Sequence, residues 1–209
     1  MPFALAQLLR CRPYLYHLTA AENLRAIASS RNLCCADALL AQAELSQQSF
    51  VKREEHVRVA TQHGFVLIRD QKPLAKGAID FEEDWDLKRF VAHVNQHVFF
   101  WPGTSVGPMD PGLNHFKRYH SESPVILRFT TLQAVTAGLK FSRYNSGAPR
   151  CSGGRYSPRG SQTYLPASEF PGTASEVVEV VASGAYTLPA VVEESSSPFG
   201  PWNRLHSAA

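Results

Sequence analysis

An α+β fold is predicted by three observations. Apolar runs are short and bounded by Gly, Pro or polar turns, as in Phe65-Val66-Leu67-Ile68 and Val125-Ile126-Leu127-Arg128-Phe129. Helical patterns cluster in the first half instead of alternating regularly with strands. No G-x-G-x-x-G follows a strand, and Gly153-Gly154 lies in a loop with no apolar helix after it, so Rossmann and phosphate-loop folds find little support. With 209 residues, 44% apolar and 11% aromatic, the chain can bury one substantial core. The expected organisation is one domain over 1–192 and a disordered polar tail over 193–209, opening on Glu193-Glu194-Ser195.

The elements follow in order. Residues 3–10 read as a short helix closed by Pro13, and Tyr14 to Leu18 as a strand. Thr19 with Glu22 has the spacing of a capping box ahead of Leu24, Ile27 and Ala28. Asp37 is placed to cap a second helix through Ala38-Leu39-Leu40-Ala41, with Leu45 as its furthest end. Residues 46–62 are polar, mixed in charge and helical in composition. Phe65 to Ile68 is a strand, Asp84 to Asn95 a helix, and Val98-Phe99-Phe100-Trp101 a strand stopped by Pro102-Gly103. Leu113 to His120 is a helix, Val125 to Phe129 a strand, and Thr130 or Thr131 caps a short helix. From Arg143 to Gly172 the chain turns Gly- and Pro-rich, a long loop of the kind that is functional or disordered. Glu176 to Val181 is a β-branched strand, and Tyr186 to Val192 a last strand or turn.

The formal charge of +3 is compatible with a phosphorylated ligand but too small to argue for nucleic acid. Cys11, Cys34, Cys35 and Cys151 form no C-x-x-C pair, so free thiols in a reducing compartment are expected. No stretch approaches the ~18–20 apolar residues of a membrane span. The amino-terminal segment is too short and weakly charged for a signal peptide, and a cytoplasmic location is expected.

Several residue groups could carry chemistry. His17 and Thr19 are two apart on a strand and face one side, where they could hydrogen-bond ribose hydroxyls or a carboxamide. The plainer alternative is a satisfied histidine beside a helix cap. Arg69, at a strand end, offers a guanidinium fork suited to pyrophosphate, with Arg53 a weaker candidate on a solvated helix. Phe99, Phe100 and Trp101 could provide a stacking wall, though such runs are usually core. Tyr144-Asn145-Ser146-Gly147 is a turn by composition that could also line a cleft, and Arg150, Arg155 and Arg159 make its loop basic. Glu176 and Glu179, three apart, fall on opposite faces of a strand and cannot act as a carboxylate pair.

The order of these groups resembles a known family. Tyr16-His17-Leu18-Thr19-Ala20-Ala21-Glu22-Asn23-Leu24 is similar to the segment that opens the NAD pocket of the DarT toxin ADP-ribosyltransferases. Val98 to Trp101 resembles that family's aromatic strand, and the Glu179 strand its carboxy-proximal one. The chain is closer still to a bacterial family of unknown function related to this fold, through Ile68-Arg69-Asp70-Gln71-Lys72-Pro73, His97 to Trp101, Tyr144 to Gly147 and Pro158-Arg159-Gly160. Segments 46–62 and 143–172 do not map cleanly onto DarT.

The resemblance implies an ADP-ribosyltransferase-like α+β domain, with two small packed sheets around an NAD cleft and helices mainly from the amino-terminal half. It implies ADP-ribose transfer to a macromolecule, nucleic acid ahead of protein, with NAD as substrate and no metal. His17, Leu18, Thr19 and Asn23 would hold the nicotinamide side, Arg69 or Arg53 the pyrophosphate, and Phe99, Phe100, Trp101, Tyr144, Asn145 and Ser146 the rest of the pocket. Glu179, ahead of Glu176, would stabilise the cationic transition state. DNA or RNA would be the acceptor, and an antitoxin or immunity protein a partner. The alternatives are a nucleotide- or partner-binding module without chemistry, and an NAD glycohydrolase.

Overall fold

A computed structural model describes residues 3–74, 79–135, 138–146 and 158–206. Helix α1 (Leu5–Cys11) leads into strand β1 (Tyr14–Ala20), a 3-10 turn (Ala21–Asn23) and helix α2 (Leu24–Ser30). Then come β2 (Asn32–Cys34), α3 (Ala36–Gln42), a hairpin of β3 (Val57–Thr61) and β4 (Gly64–Ile68), α4 (Leu87–Asn95) and β5 (His97–Gly103). Helix α5 (Asp110–Tyr119), β6 (Pro124–Thr130), α6 (Thr131–Ala134), β7 (Lys140–Ser142) and β8 (Leu165–Pro166) follow. Strands β9 (Glu179–Ser183), β10 (Ala185–Thr187), β11 (Glu193–Ser195) and β12 (Asn203–Arg204) complete the described chain.

The α+β class is therefore correct, and four of the six described α-helices precede β5. The sheets differ from the expected pair. Eight strands join in one sheet, ordered β12-β11-β6-β1-β5-β9-β7-β8, with two separate two-stranded pairs, β10-β2 and β3-β4. Every ladder between these strands is antiparallel.

Alternation along the strands sorts side chains onto two faces. Leu15, Phe100, Leu127, Phe129, Val180 and Ala182 pack with Leu8 of α1 and Ile27 of α2 in the main core. Tyr16, Leu18, Trp101 and Ile126 pack with Tyr119 of α5 on the other face. Each large apolar side chain fully removed from water, such as Phe100, stabilises by about 1.5–3 kcal/mol.

The sheet opens in the middle. β1 pairs with β5 only at Tyr14↔Gly103, Leu15↔Pro102 and Tyr16↔Trp101. Beyond that point β1 stays on β6 as far as Ala20↔Pro124, while β5 stays on β9 from Phe100↔Val180 to His97↔Ser183. The two halves part at His17.

Several local expectations give way to tertiary contacts. Segment 46–62 is helical only in part: it holds a short 3-10 helix (Ser46–Phe50) and then β3, whose alternating Val57 and Val59 pack against α3 and β4. Thr19 caps no helix; it stays in β1, and its hydroxyl accepts from Asn23. Cys35, not Asp37, caps α3, its sulfur accepting from Ala38 N–H. The tail from 193 is ordered through Arg204. β11 extends the sheet beside β6, Glu193 binds Arg128 at 2.7 Å, and Trp202 covers the Arg128 guanidinium at 4.0 Å. No described helix is long and apolar enough to cross a membrane.

Candidate active site

The opening between β1 and β5 leads into a cavity of about 1160 Å³. His17, Leu18 and Thr19 from β1, Phe99 and Trp101 from β5, and Glu179 from β9 all line it. Asn145, Ser146, Arg53 and Arg69 do so as well. The early histidine and the late carboxylate thus meet in one cleft.

His17 closes the gap that the parting strands leave. Its Nδ1 lies 2.9 Å from the Phe99 carbonyl, where a backbone ladder bond would otherwise run. A carbonyl only accepts, so Nδ1 carries the proton and Nε2 is left as an acceptor. Burial, together with the charge of Arg69, lowers the imidazole to about 4, so it is neutral at pH 7.

Glu179 opens β9 and is 2% exposed. Burial pushes its carboxyl up to about 7, against hydrogen bonds from Ser146 and the charge of Arg159. The backbone N–H of Ser146 donates to Oε2 at 3.2 Å. The group therefore titrates close to neutrality, where acid–base or charge-stabilising chemistry is most effective.

Arg69 follows β4 directly. Its Nη1 donates to Glu122 at 2.8 Å and its guanidinium lies 4.3 Å above the Tyr119 ring. Its Nε and Nη2 are buried and meet no acceptor among the described residues. Arg53 is differently placed. It is not on a solvated helix but buried, with Nε donating to the Arg69 carbonyl at 2.9 Å and Nη1 to Asn95 at 2.9 Å. Desolvation lowers it to about 10. Arg53 braces the turn that carries Arg69, and its committed donors leave Arg69 the better phosphate ligand.

Other expected site residues fall elsewhere. Phe100 is 0% exposed in the main core, because alternation turns it away from the face of Phe99 and Trp101. Tyr144 does not line the cavity; its ring packs 4.8 Å from the Arg159 guanidinium, while its neighbours Asn145 and Ser146 face in. Glu176 is outside the site. It belongs to a 3-10 turn (Ala174–Glu176), where it closes a capping box with Thr173 and pairs with Arg143. The sequence Thr173-Ala174-Ser175-Glu176 carries that signal. Asn23 lines the cavity but spends its amide on Thr19 and on the backbone of Leu67. Gly147, Arg150 and Arg155 lie outside the described residues.

One group of lining residues was not anticipated. Pro111, Asn114, His115 and Arg118, spaced for a single face of α5, all border the cavity. His115 packs 4.5 Å from Trp101 and 5.0 Å from Tyr119. A polar stripe on a short helix reads as solvent-facing unless the facing element is known. Among the described residues, no group of three or more His, Cys, Asp or Glu side chains could hold a metal ion.

A family model described as a family of unknown function, DUF7002, matches residues 13–190. The chain belongs to this family. The match runs from the start of β1 past β10 and so contains His17, Arg69, α5 and Glu179. No curated protein and no solved structure matches the chain.

Proposed function

We propose that the protein cleaves the bond between nicotinamide and ribose in NAD and passes ADP-ribose to a macromolecular acceptor, nucleic acid ahead of protein. The observation that carries this reading is that His17, Arg69 and Glu179, distant in sequence, line one cavity. At about 1160 Å³ that cavity is above the ~300–1,000 Å³ of ordinary small-ligand pockets, leaving room for a dinucleotide.

In the proposed reaction the C1′–N bond breaks and its electron pair leaves with nicotinamide. The acceptor's nucleophile bonds to C1′ and gives up its proton. His17, neutral and with no donor to its Nε2 among the described residues, takes a hydrogen bond from a ribose hydroxyl. Arg69 contributes unpaired donors to the diphosphate. Phe99 offers aromatic surface for the nicotinamide ring. Glu179, ionised, stabilises positive charge at C1′ as it develops and can then accept the acceptor's proton.

The test supplies NAD labelled in its adenosine half, with lysate treated by nuclease or by protease. Transfer to nucleic acid leaves label that survives protease and is lost to nuclease; transfer to protein gives the reverse. Free ADP-ribose alone marks a hydrolase. NAD that binds and is never consumed marks a binding module and defeats the transferase.

A further inference from the structure

We propose that the inward face of α5 is an anion subsite, in which Arg118 and His115, beside the Trp101 indole N–H, receive a phosphate group separate from the one held by Arg69. The inference deepens the NAD reading by adding a second phosphate position to the same cavity, but its binding test does not depend on NAD chemistry.

Three observations converge. First, α5 turns Asn114, His115 and Arg118 toward the cavity. Gly112 allows this closeness: a Cβ there would come within 2.8 Å of Trp101 Cβ and 2.9 Å of Pro108 Cβ. The helix therefore lies against β5, with His115 on the Trp101 ring. Second, Trp101 is buried, and its Nε1–H meets no acceptor among the described residues. A buried donor without an acceptor is costly and marks a place where an acceptor is wanted. Third, the permanent charges acting on His115 are both positive, those of Arg69 and Arg118. Among the described residues Arg118 pairs with no carboxylate; of the nearby carboxylates, Glu122 is engaged by Arg69 and His56, and Asp70 by His56 and the Tyr119 hydroxyl. Donors and positive charge without a counter-charge form a receptor for an anion.

Two sources share this chemistry: a phosphate of NAD itself, or a phosphodiester of a nucleic-acid acceptor. The whole chain, labelled with ¹⁵N in histidine and tryptophan, is titrated with inorganic phosphate and followed by NMR. A saturable shift of the His115 ring and the Trp101 indole N–H is expected. Arg118→Ala should weaken it at least ~10-fold, the loss of a charge-assisted contact. Arg118 is exposed, so its removal should leave the melting temperature unchanged. Absence of a saturable shift, or equal affinity in Arg118→Ala, overturns the subsite.

Competition then separates the sources. Displacement of phosphate by ADP-ribose assigns the subsite to NAD. Displacement by a short single-stranded oligonucleotide, with ADP-ribose bound alongside phosphate, assigns it to the acceptor. Displacement by neither overturns the proposal. A protein that takes phosphate here yet never consumes NAD would end the transferase reading and leave the subsite standing.

Discussion

Asn23 holds Leu67 by both of its backbone groups. Its Oδ1 accepts from Leu67 N–H at 2.7 Å, and its Nδ2 donates to the Leu67 carbonyl at 3.0 Å. The side chain thus replaces a partner strand along the edge of β4 and fixes the hairpin that ends in Arg69. Asn23→Ala should cost about 2–4 kcal/mol, since three hydrogen bonds are lost, the two partly buried ones to Leu67 and the buried one to Thr19. Asn23→Asp keeps the acceptor but sets a carboxylate against the Leu67 carbonyl, and should be no better. Denaturant unfolding measures both. A loss below ~0.5 kcal/mol in Asn23→Ala would mean the hairpin is held by its other contacts.

Glu179 should trade stability for chemistry. Its folded value of about 7 stands above the ordinary 4.5, so between those limits the native state binds the extra proton. Stability from this group is complete below about 4.5 and is lost as pH rises through about 7, by roughly 3 kcal/mol. Glu179→Gln should therefore be more stable than the parent at pH 8. Its NAD turnover should fall at least ~10²-fold, the scale for loss of a central electrostatic group. Parent turnover should rise with pH through about 7 as the carboxylate ionises. Full turnover in a folded Glu179→Gln would remove Glu179 from the mechanism.

The two arginines should separate by readout. Arg53→Ala leaves the Arg69 carbonyl without its side-chain donor and removes the Asn95 contact, so it should cost about 3 kcal/mol of stability. Arg69→Ala gives up the Glu122 ion pair and the contact with the Tyr119 ring, but it also removes two buried donors that meet no acceptor among the described residues, so it should change stability less than Arg53→Ala does. It should instead weaken NAD binding by calorimetry, roughly 10-fold or more. Equal NAD affinity in parent and Arg69→Ala would transfer the diphosphate contact elsewhere in the cavity.

The tail should prove structural. Arg128, 9% exposed, is held by Glu193 and by the Ser105 carbonyl at 3.1 Å, between the rings of Tyr14 and Trp202. A chain ending at Val192 loses β11 and bares the edge of β6. Lower thermal stability and concentration-dependent association are expected, because an uncovered strand edge invites pairing. A truncated chain that melts like the parent and stays monomeric by light scattering would show β11 to be dispensable.

What could be read from the sequence tracks how locally each element is specified. β5 and β6 are dense in β-formers and stood out, as did the Tyr14–Leu18 core of β1. β3 did not, because Val57 and Val59 alternate with Arg58 and Ala60 among charged neighbours, and their burial depends on α3. β11 is Glu-Glu-Ser, a strand only because β6 pairs with it. The same limit applies at the site. His17 and Glu179 were legible as strand residues, but the face of Phe100 follows from a register set by β1 and β9. The role of Arg118 depends on which side of α5 meets Trp101, a tertiary fact with no local signature.

Neutral buried histidines should set the acid limit. Burial, the main cause, holds both His17 and His97 at about 4, below the ordinary 6.5. The unfolded chain takes up protons that the folded one refuses. Stability from these groups is present above about 6.5 and is lost as pH falls through about 4. Glu179 acts in the opposite sense over much of this window, so the net loss is smaller than the histidines alone would give. His97 Nδ1–H donates to the His93 carbonyl at 2.8 Å, a bond that the amide of Gln can imitate without titrating. In His97→Gln the stability lost between pH 7 and 4.5 should shrink by about 2–3 kcal/mol. Urea unfolding at the two pH values measures this, and an unchanged difference would mean that His97 takes up its proton in the folded state.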